Sequence, residues 1–169
     1  MNADPPLPGR PSYLAWLPRF LFETDPSVLR YVVKAWLLAL LPSIALSALV
    51  RLIAADAAAP EFPGEAGRLV LFVVLVGPAL ETLLLALPLL ALNRLFGPGP
   101  AVIGSALVWA VVHSLVVPIW GLVTWWPFLI MSIAFLTWRR KGLFQALGVA
   151  FAIHALQNGF AVGLMLMAG

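Results

Sequence analysis

The chain consists mostly of long apolar stretches, separated by short segments that are polar or rich in proline and glycine. Each stretch has roughly 17 to 28 residues, and about 20 apolar residues in a helix cross the hydrocarbon core of a bilayer. The pattern predicts five transmembrane helices, at residues 29–54, 68–95, 101–117, 122–138 and 143–167. We therefore expect an all-α fold, a polytopic membrane helix bundle.

Proline and glycine divide this pattern. Residues 1–27 form a proline-rich arm, and its aromatic side chains predict that it lies at the membrane interface. Residues 28–169 form the membrane domain. Gly77-Pro78 and Pro88 predict a bent or locally opened second helix, and the run of glycine and proline from Gly97 to Pro100 predicts a complete break.

Composition supports a lipid environment. Of the 169 residues, 63% are hydrophobic and only 10% are charged, whereas about 25% are charged in an ordinary soluble domain. The net charge of +3 does not indicate nucleic-acid binding, because the few basic residues lie at helix ends. The chain has no cysteine, which excludes thiolate metal sites and thiol nucleophiles.

Basic residues favour alternate loops, which all lie on the same side of the membrane. The first loop instead carries the acidic residues Asp56, Glu61 and Glu65. We expect a multi-pass protein of a bacterial inner or plasma membrane, and the positive-inside rule predicts that its N-terminus is cytoplasmic and its C-terminus outside. The basic residues that set this orientation are Arg10, Arg19, Arg30, Lys34, Arg139, Arg140 and Lys141.

Few ionisable groups fall inside the predicted spans. Glu81 is the only acidic residue there, and His113 and His154 are the only histidines of the chain. Asn158 follows His154 by one helical turn and therefore shares its face. Intramembrane polar groups are costly and turn toward the bundle interior. Since all three ionisable groups fall at similar depths, we expect them to meet in one wettable pocket.

Such a cluster supports a narrow chemistry. A carboxylate beside an imidazole can take a proton from water and return it to a leaving amine, and an imidazole with an amide can stabilise an oxyanion. This combination indicates hydrolysis of an acyl bond. Alternatively, Glu81, His113 and His154 could bind zinc, although the His-Glu-x-x-His spacing is missing. A third reading of intramembrane Glu and His is a small transporter or proton relay, which the lack of an internal repeat disfavours.

The order of these residues resembles the CPBP family of intramembrane proteases (CAAX proteases and bacteriocin-processing enzymes, also called Abi proteins). That family has a Glu-Glu-x-x-x-Arg motif, then Phe-x-x-x-His, then His-x-x-x-Asn. The matching segments, within about residues 68–160, are Pro78-Ala79-Leu80-Glu81-Thr82, Trp109-Ala110-Val111-Val112-His113 and His154-Ala155-Leu156-Gln157-Asn158.

The resemblance implies a glutamic-type endopeptidase, formerly described as a metalloprotease, that needs no cofactor and cuts peptides or membrane proteins in or near the bilayer. Glu81 would then activate water, His113 would assist it, and His154 with Asn158 would form the oxyanion site. Pro78, Thr82 and Trp109 would support the site or the substrate.

The chain departs from the family pattern at three positions. Thr82 replaces the second glutamate, Ala86 stands at the arginine position, and Trp109 replaces the phenylalanine. These departures leave open a catalytically degenerate member, acting as a bacteriocin-immunity, scaffold or binding protein. The pair Gly159 and Gly163 permits close helix approach, either within the bundle or in a homodimer.

Overall fold

The computed structural model describes residues 10–54 and 65–168, and every regular element in these ranges is a helix. Five of the helices, of 19 to 31 residues, are long and apolar enough to cross a membrane. This confirms the predicted all-α membrane bundle, and the predicted spans agree with the observed ones to within three residues at each end. The helices are α1 Val28–Ile53, α2 Ala66–Phe96, α3 Pro98–Val116, α4 Gly121–Arg139 and α5 Leu143–Ala168.

Helix α2 is locally opened in its first half. An α-helical turn at Ala66–Leu69 leads into a π-helical segment at Val70–Val76, and a regular α-helix continues over Gly77–Phe96. π-helical segments are rare in proteins, and those that occur are often found at functional sites. A Cβ at Gly77 would lie 3.0 Å from the carbonyl oxygen of Phe72, so glycine suits the point where the wide turn ends.

The break between α2 and α3 is shorter than predicted. Gly97 alone separates the two helices, with φ at 82°, a region that favours glycine. Pro98 already belongs to α3. Proline is tolerated in the first turn of a helix, because the N–H it lacks would have no partner there. The Gly97–Pro100 run therefore ends one helix and starts the next.

Helix α4 occupies the centre of the bundle and packs against α1, α3 and α5. Of its most apolar 18-residue window, 72% is buried, compared with 17 to 33% for the other four helices. Two of its polar side chains have partners inside the protein: the Ser132 hydroxyl donates to that of Ser105, and the Thr137 hydroxyl donates to the Leu21 carbonyl. The other helices turn large apolar surfaces outward, as lipid-facing helices do.

The arm packs partly into the bundle. Two short 3₁₀ turns, Ser12–Leu14 and Arg19–Phe22, bury apolar side chains against it, while Tyr13 and Trp16 stay exposed. The buried side chains are Leu14, Leu17, Leu21 and Phe22. Placement of the arm at the membrane surface remains a prediction. The predictions for residues 1–9 and for the polar loop at 55–64, including Asp56 and Glu61, lie outside the described residues.

Three side chains attach the arm to α1 and α4. The Tyr31 and Thr137 hydroxyls both donate to the Leu21 carbonyl, each at 2.9 Å, and the Arg140 guanidinium donates to the Phe22 carbonyl at 2.5 Å. We call this group, Tyr31, Thr137 and Arg140 with the two carbonyls, the arm clasp. It gives the buried polar atoms at this end of the bundle hydrogen-bond partners, as buried polar groups require.

Candidate functional site

The three ionisable groups predicted to meet come from α2, α3 and α5. Glu81 follows the Gly77-Pro78 turn by one helical turn. His113 lies in the last turn of α3, closer to the helix end than predicted, because α3 ends at Val116. His154 lies near the middle of α5 and is almost fully buried. The contacts of α2 with both α3 and α5 bring these positions together.

One carboxyl oxygen faces both imidazoles. Glu81 Oε2 lies 3.8 Å from His113 Nε2 and 3.6 Å from His154 Nε2. We call these three residues the Glu81 cluster. Both distances exceed a direct hydrogen bond of about 2.7–3.2 Å, and Oε2 is buried without a hydrogen-bond partner. These separations are too short for a water oxygen to stand on the line between two of the atoms, so a water that bonded to more than one of them would lie beside that line.

Burial within the cluster is graded. The Glu81 side chain is 30% exposed, that of His113 13% and that of His154 6%. The Glu81 side chain is therefore the most exposed of the three, although its Oε2 is buried, and the His154 ring is the least exposed. A group entering from the surroundings of the bundle would meet Glu81 before His154.

A backbone bond orients the His113 ring. His113 Nδ1 lies 2.8 Å from the Trp109 carbonyl oxygen. A carbonyl only accepts, so Nδ1 carries the proton, and in the neutral ring Nε2 presents its lone pair toward Glu81. By contrast, His154 Nδ1 is buried without a partner. His113 is thus fixed as a proton acceptor, whereas no bond selects the tautomer of His154.

Aromatic rings enclose the imidazoles. Phe128 on α4 stacks on Trp109 with ring centres 4.8 Å apart and planes 2° apart, and lies 5.1 Å from His113 and 5.4 Å from His154. Trp120, in the turn before α4, packs edge-on against His113 at 5.0 Å. The sequence analysis named neither Phe128 nor Trp120 as a site residue. Phe128 has no polar atom and Trp120 has only an indole N–H, which does not distinguish them in a chain so rich in aromatic residues.

Asn158 makes a bond that the sequence did not predict. Its side-chain amide donates to the Val73 carbonyl at 2.9 Å. In a π-helix each carbonyl accepts from the N–H five residues later, and five residues after Val73 stands Pro78, which has no N–H. Asn158 therefore supplies the donor that Pro78 withholds and ties α5 to the opened part of α2. A primary amide has two N–H groups, and this bond uses only one of them.

The remaining predicted positions are packed into the bundle. Pro78, Thr82, Ala86 and Trp109 are all buried. Thr82 and Ala86, which stand where the resembled family has glutamate and arginine, fill these positions with small side chains. Gly159 approaches Val74 of α2, where a Cβ would lie 3.5 Å from its side chain, while no atom lies within 4 Å of the corresponding point at Gly163.

The same three side chains are the zinc ligands of the alternative reading. Over residues 10–54 and 65–168, no group of three or more His, Cys, Asp or Glu side chains is arranged to hold a metal ion. Zinc would require the two Nε2 atoms and Oε2 at about 2.0–2.2 Å from one centre, with a fourth position open to water.

Comparison of the chain with protein-family models, with curated proteins and with solved structures finds no match. The resemblance to the CPBP family accordingly rests on the three short motifs alone. What stands independently of it is a multi-pass membrane protein in which Glu81, His113 and His154 converge.

Proposed function

We propose that the chain is an intramembrane endopeptidase of the glutamic type, in which Glu81 and His113 activate water for attack on a peptide bond. The observation that carries the proposal is the convergence of two imidazole nitrogens, at 3.6 and 3.8 Å, on one buried and unpartnered carboxyl oxygen. Buried polar atoms normally have partners, so the unpaired Oε2 is the atom at which we expect the attacking water to bind.

The protonation pattern suits hydrolysis. An ionised Glu81 takes the proton of the water whose oxygen attacks the carbonyl carbon, and later delivers it to the leaving amine. The Nε2 lone pair of His113, directed by the bond from Nδ1 to Trp109, accepts a hydrogen bond from the same water. His154, once protonated at Nε2, donates to the oxyanion. Asn158 would contribute only its second N–H, because the first is engaged by Val73.

Cleavage of a lipid-anchored or transmembrane peptide is the direct test. The purified protein is reconstituted into liposomes and given fluorescence-quenched peptides with and without a C-terminal isoprenyl group. We expect Glu81→Gln and His113→Ala to abolish cleavage, and Glu65→Gln, which removes an exposed carboxyl outside the cluster, to leave it unchanged. Wild-type rates in Glu81→Gln would contradict the proposal.

A chelator separates the metal-free reaction from the zinc alternative. If Glu81 acts as a base without metal, cleavage persists after treatment with a membrane-permeant zinc chelator and after dialysis. Loss of cleavage that added zinc restores would instead assign Glu81, His113 and His154 as ligands.

A second candidate function is supported by the small side chains at Thr82 and Ala86. Without the second glutamate and the arginine of the resembled family, the cluster would bind a peptide or membrane partner without cutting it, as an immunity or scaffold protein. Binding of the same peptides that is equal in wild type and Glu81→Gln, with no cleavage in either, favours this function. Decay of a pH gradient across the liposomes would favour a proton relay.

We also infer the orientation from the basic residues at one end of the bundle. The protein spans a bacterial inner or plasma membrane. Its N-terminus and the loop with Arg139, Arg140 and Lys141 lie on the cytoplasmic side, and the end of α5 lies outside. Because the chain has no cysteine, single cysteines report topology without background. Lys141→Cys should resist a membrane-impermeant thiol reagent in intact cells, and Met167→Cys should react. The reverse pattern would overturn the orientation.

A further inference from the structure

A cavity of about 350 Å³ lies at the C-terminal end of α2, whereas Glu81 lies at the middle of that helix. It is bounded by the end of α2 at Asn93, the start of α3 at Pro98, the end of α4 at Arg139, and the arm. Asn93 is about 18 Å along α2 from Glu81, at 1.5 Å per residue. The cavity is therefore separate from the proposed catalytic site and needs an explanation of its own.

The mouth of the cavity is cationic. Arg139 and Arg140 line it together with the amide of Asn93. Arg140 is anchored there, because its Nε donates to the Thr137 carbonyl at 3.1 Å and its terminal nitrogen donates to Phe22 in the arm clasp. Among the described residues that line the cavity, none is acidic. The lining thus favours an anion, and guanidinium groups suit phosphate in particular.

The floor of the cavity is apolar. Ile133 lies about 9 Å deeper along α4 than Arg139, and Val102 and Leu136 complete this part of the wall. Free phosphate would gain nothing from such a surface, whereas burial of hydrocarbon is favourable at about 25 cal/mol per Å². A ligand that matches both parts carries a phosphate and an alkyl chain next to each other.

We propose that this cavity binds one anionic phospholipid, with the phosphate at Arg139 and Arg140 and the first methylene groups of an acyl chain against Ile133 and Val102. Arg139 ends a membrane-spanning helix, which places the guanidinium at headgroup depth. Basic pockets between transmembrane helices recognise anionic headgroups. A zwitterionic lipid is a poorer fit, because its choline cation would lie beside two arginines.

Native mass spectrometry of the detergent-purified protein tests the proposal. The protein is incubated with equal amounts of phosphatidylglycerol and phosphatidylcholine that carry identical acyl chains. We expect one retained phosphatidylglycerol per chain and a preference over phosphatidylcholine of about fivefold, the equivalent of about 1 kcal/mol for an arginine near a lipid headgroup. Equal retention of both lipids would overturn the proposal.

Two arginine variants locate the site. Arg139→Gln should remove the preference, and Arg51→Gln, at the far end of α1 and outside the cavity lining, should keep it. An equal loss in both variants would indicate attraction to the overall charge and would overturn the assigned site. Leu136→Trp, which fills the cavity without removing a charge, should lower retention of phosphatidylglycerol as well.

A soluble headgroup distinguishes the lipid from a free anion. Glycerol 3-phosphate presents the same phosphate without the acyl chains. We expect it neither to displace bound phosphatidylglycerol nor to raise the unfolding temperature at concentrations where the lipid does. If glycerol 3-phosphate competes as well as the lipid, the cavity is an anion site, and the proposed role of its apolar floor is wrong.

Discussion

The arm clasp and the Glu81 cluster both place polar groups among apolar helices. The carbonyl groups of the arm clasp are hydrogen-bonded, whereas Glu81 Oε2 is not. In the arm clasp, the Leu21 and Phe22 carbonyls accept bonds of 2.5 to 2.9 Å. In the Glu81 cluster, Glu81 Oε2 has two imidazoles nearby and a bond to neither. The first arrangement is explained by stability alone. The second costs stability and leaves a carboxyl oxygen whose hydrogen bonds a water or substrate group would complete.

Removal of the Glu81 carboxylate is expected to have the largest effect on activity. Loss of a general base lowers rates by about 10²–10⁴-fold, so Glu81→Gln should reduce the kcat for peptide cleavage by that factor. Its unfolding temperature should not fall, because Oε2 has no bond to lose. Measurement of kcat and thermal unfolding on the same preparation checks both. A variant that loses activity only because it unfolds would remove the contrast with the arm clasp.

Truncation in the arm clasp should have the opposite profile. The Tyr31 side chain is almost fully buried and packs edge-on against Trp138 at 5.3 Å. Tyr31→Ala should lower the free energy of unfolding by about 3–5 kcal/mol, as measured in mixed micelles, while the KM and kcat of the folded fraction stay at wild-type values. A changed kcat in that fraction would show that the arm and the cluster are coupled.

The Asn158 bond lies between these two cases. Asn158→Leu leaves the Val73 carbonyl without its donor, at a cost of about 1–3 kcal/mol, and should speed amide hydrogen exchange in Val70–Val76. Trp126→Phe is the matched control: Trp126 Nε1 donates at 2.8 Å to the Leu38 carbonyl, four residues before Pro42. Trp126→Phe should lower the free energy of unfolding by a similar amount without changing amide hydrogen exchange in α2. Unchanged exchange in Asn158→Leu would show that the π segment holds itself open.

The aromatic wall should give the smallest effect. Phe128→Leu keeps an apolar side chain but removes stacking on Trp109 and contact with both imidazole rings. Aromatic pairs contribute about 0.5–1.5 kcal/mol beyond their burial. We expect a loss of that size in unfolding free energy, with a decrease in kcat and little change in KM. Leu129→Met, beside it on α4 and also buried, serves as the control and should leave kcat unchanged.

The spans and the three ionisable residues could be predicted because both depend on local properties. A run of apolar residues has to form a helix in lipid, and a charged side chain inside it has to turn inward. The partner of Asn158, the Phe128 wall and the inward packing of the arm could not be predicted. They depend on which helix faces which, and a bundle of uniformly apolar helices carries little of that information along the chain.

The Gly97 region and the π segment illustrate the same limit. The proline and glycine residues predicted an irregularity near each of these two segments, but they did not predict its form. At Gly97 a single residue suffices, since Pro98 starts a helix well. In α2 the irregularity spreads over Val70–Val76, on the N-terminal side of the proline, where a neighbouring helix offers an amide to the freed carbonyl.

The position of His154 on the fifth helix has a consequence for biosynthesis. A ribosome delivers the helices to the membrane in chain order, so the Glu81 carboxyl and the first imidazole are inserted while α5 is still to come. Until then the partly made bundle lacks the ring that closes the inner side of the cluster. Under the proposed function, a nascent chain of four helices has an incomplete site and becomes active only when α5 is inserted.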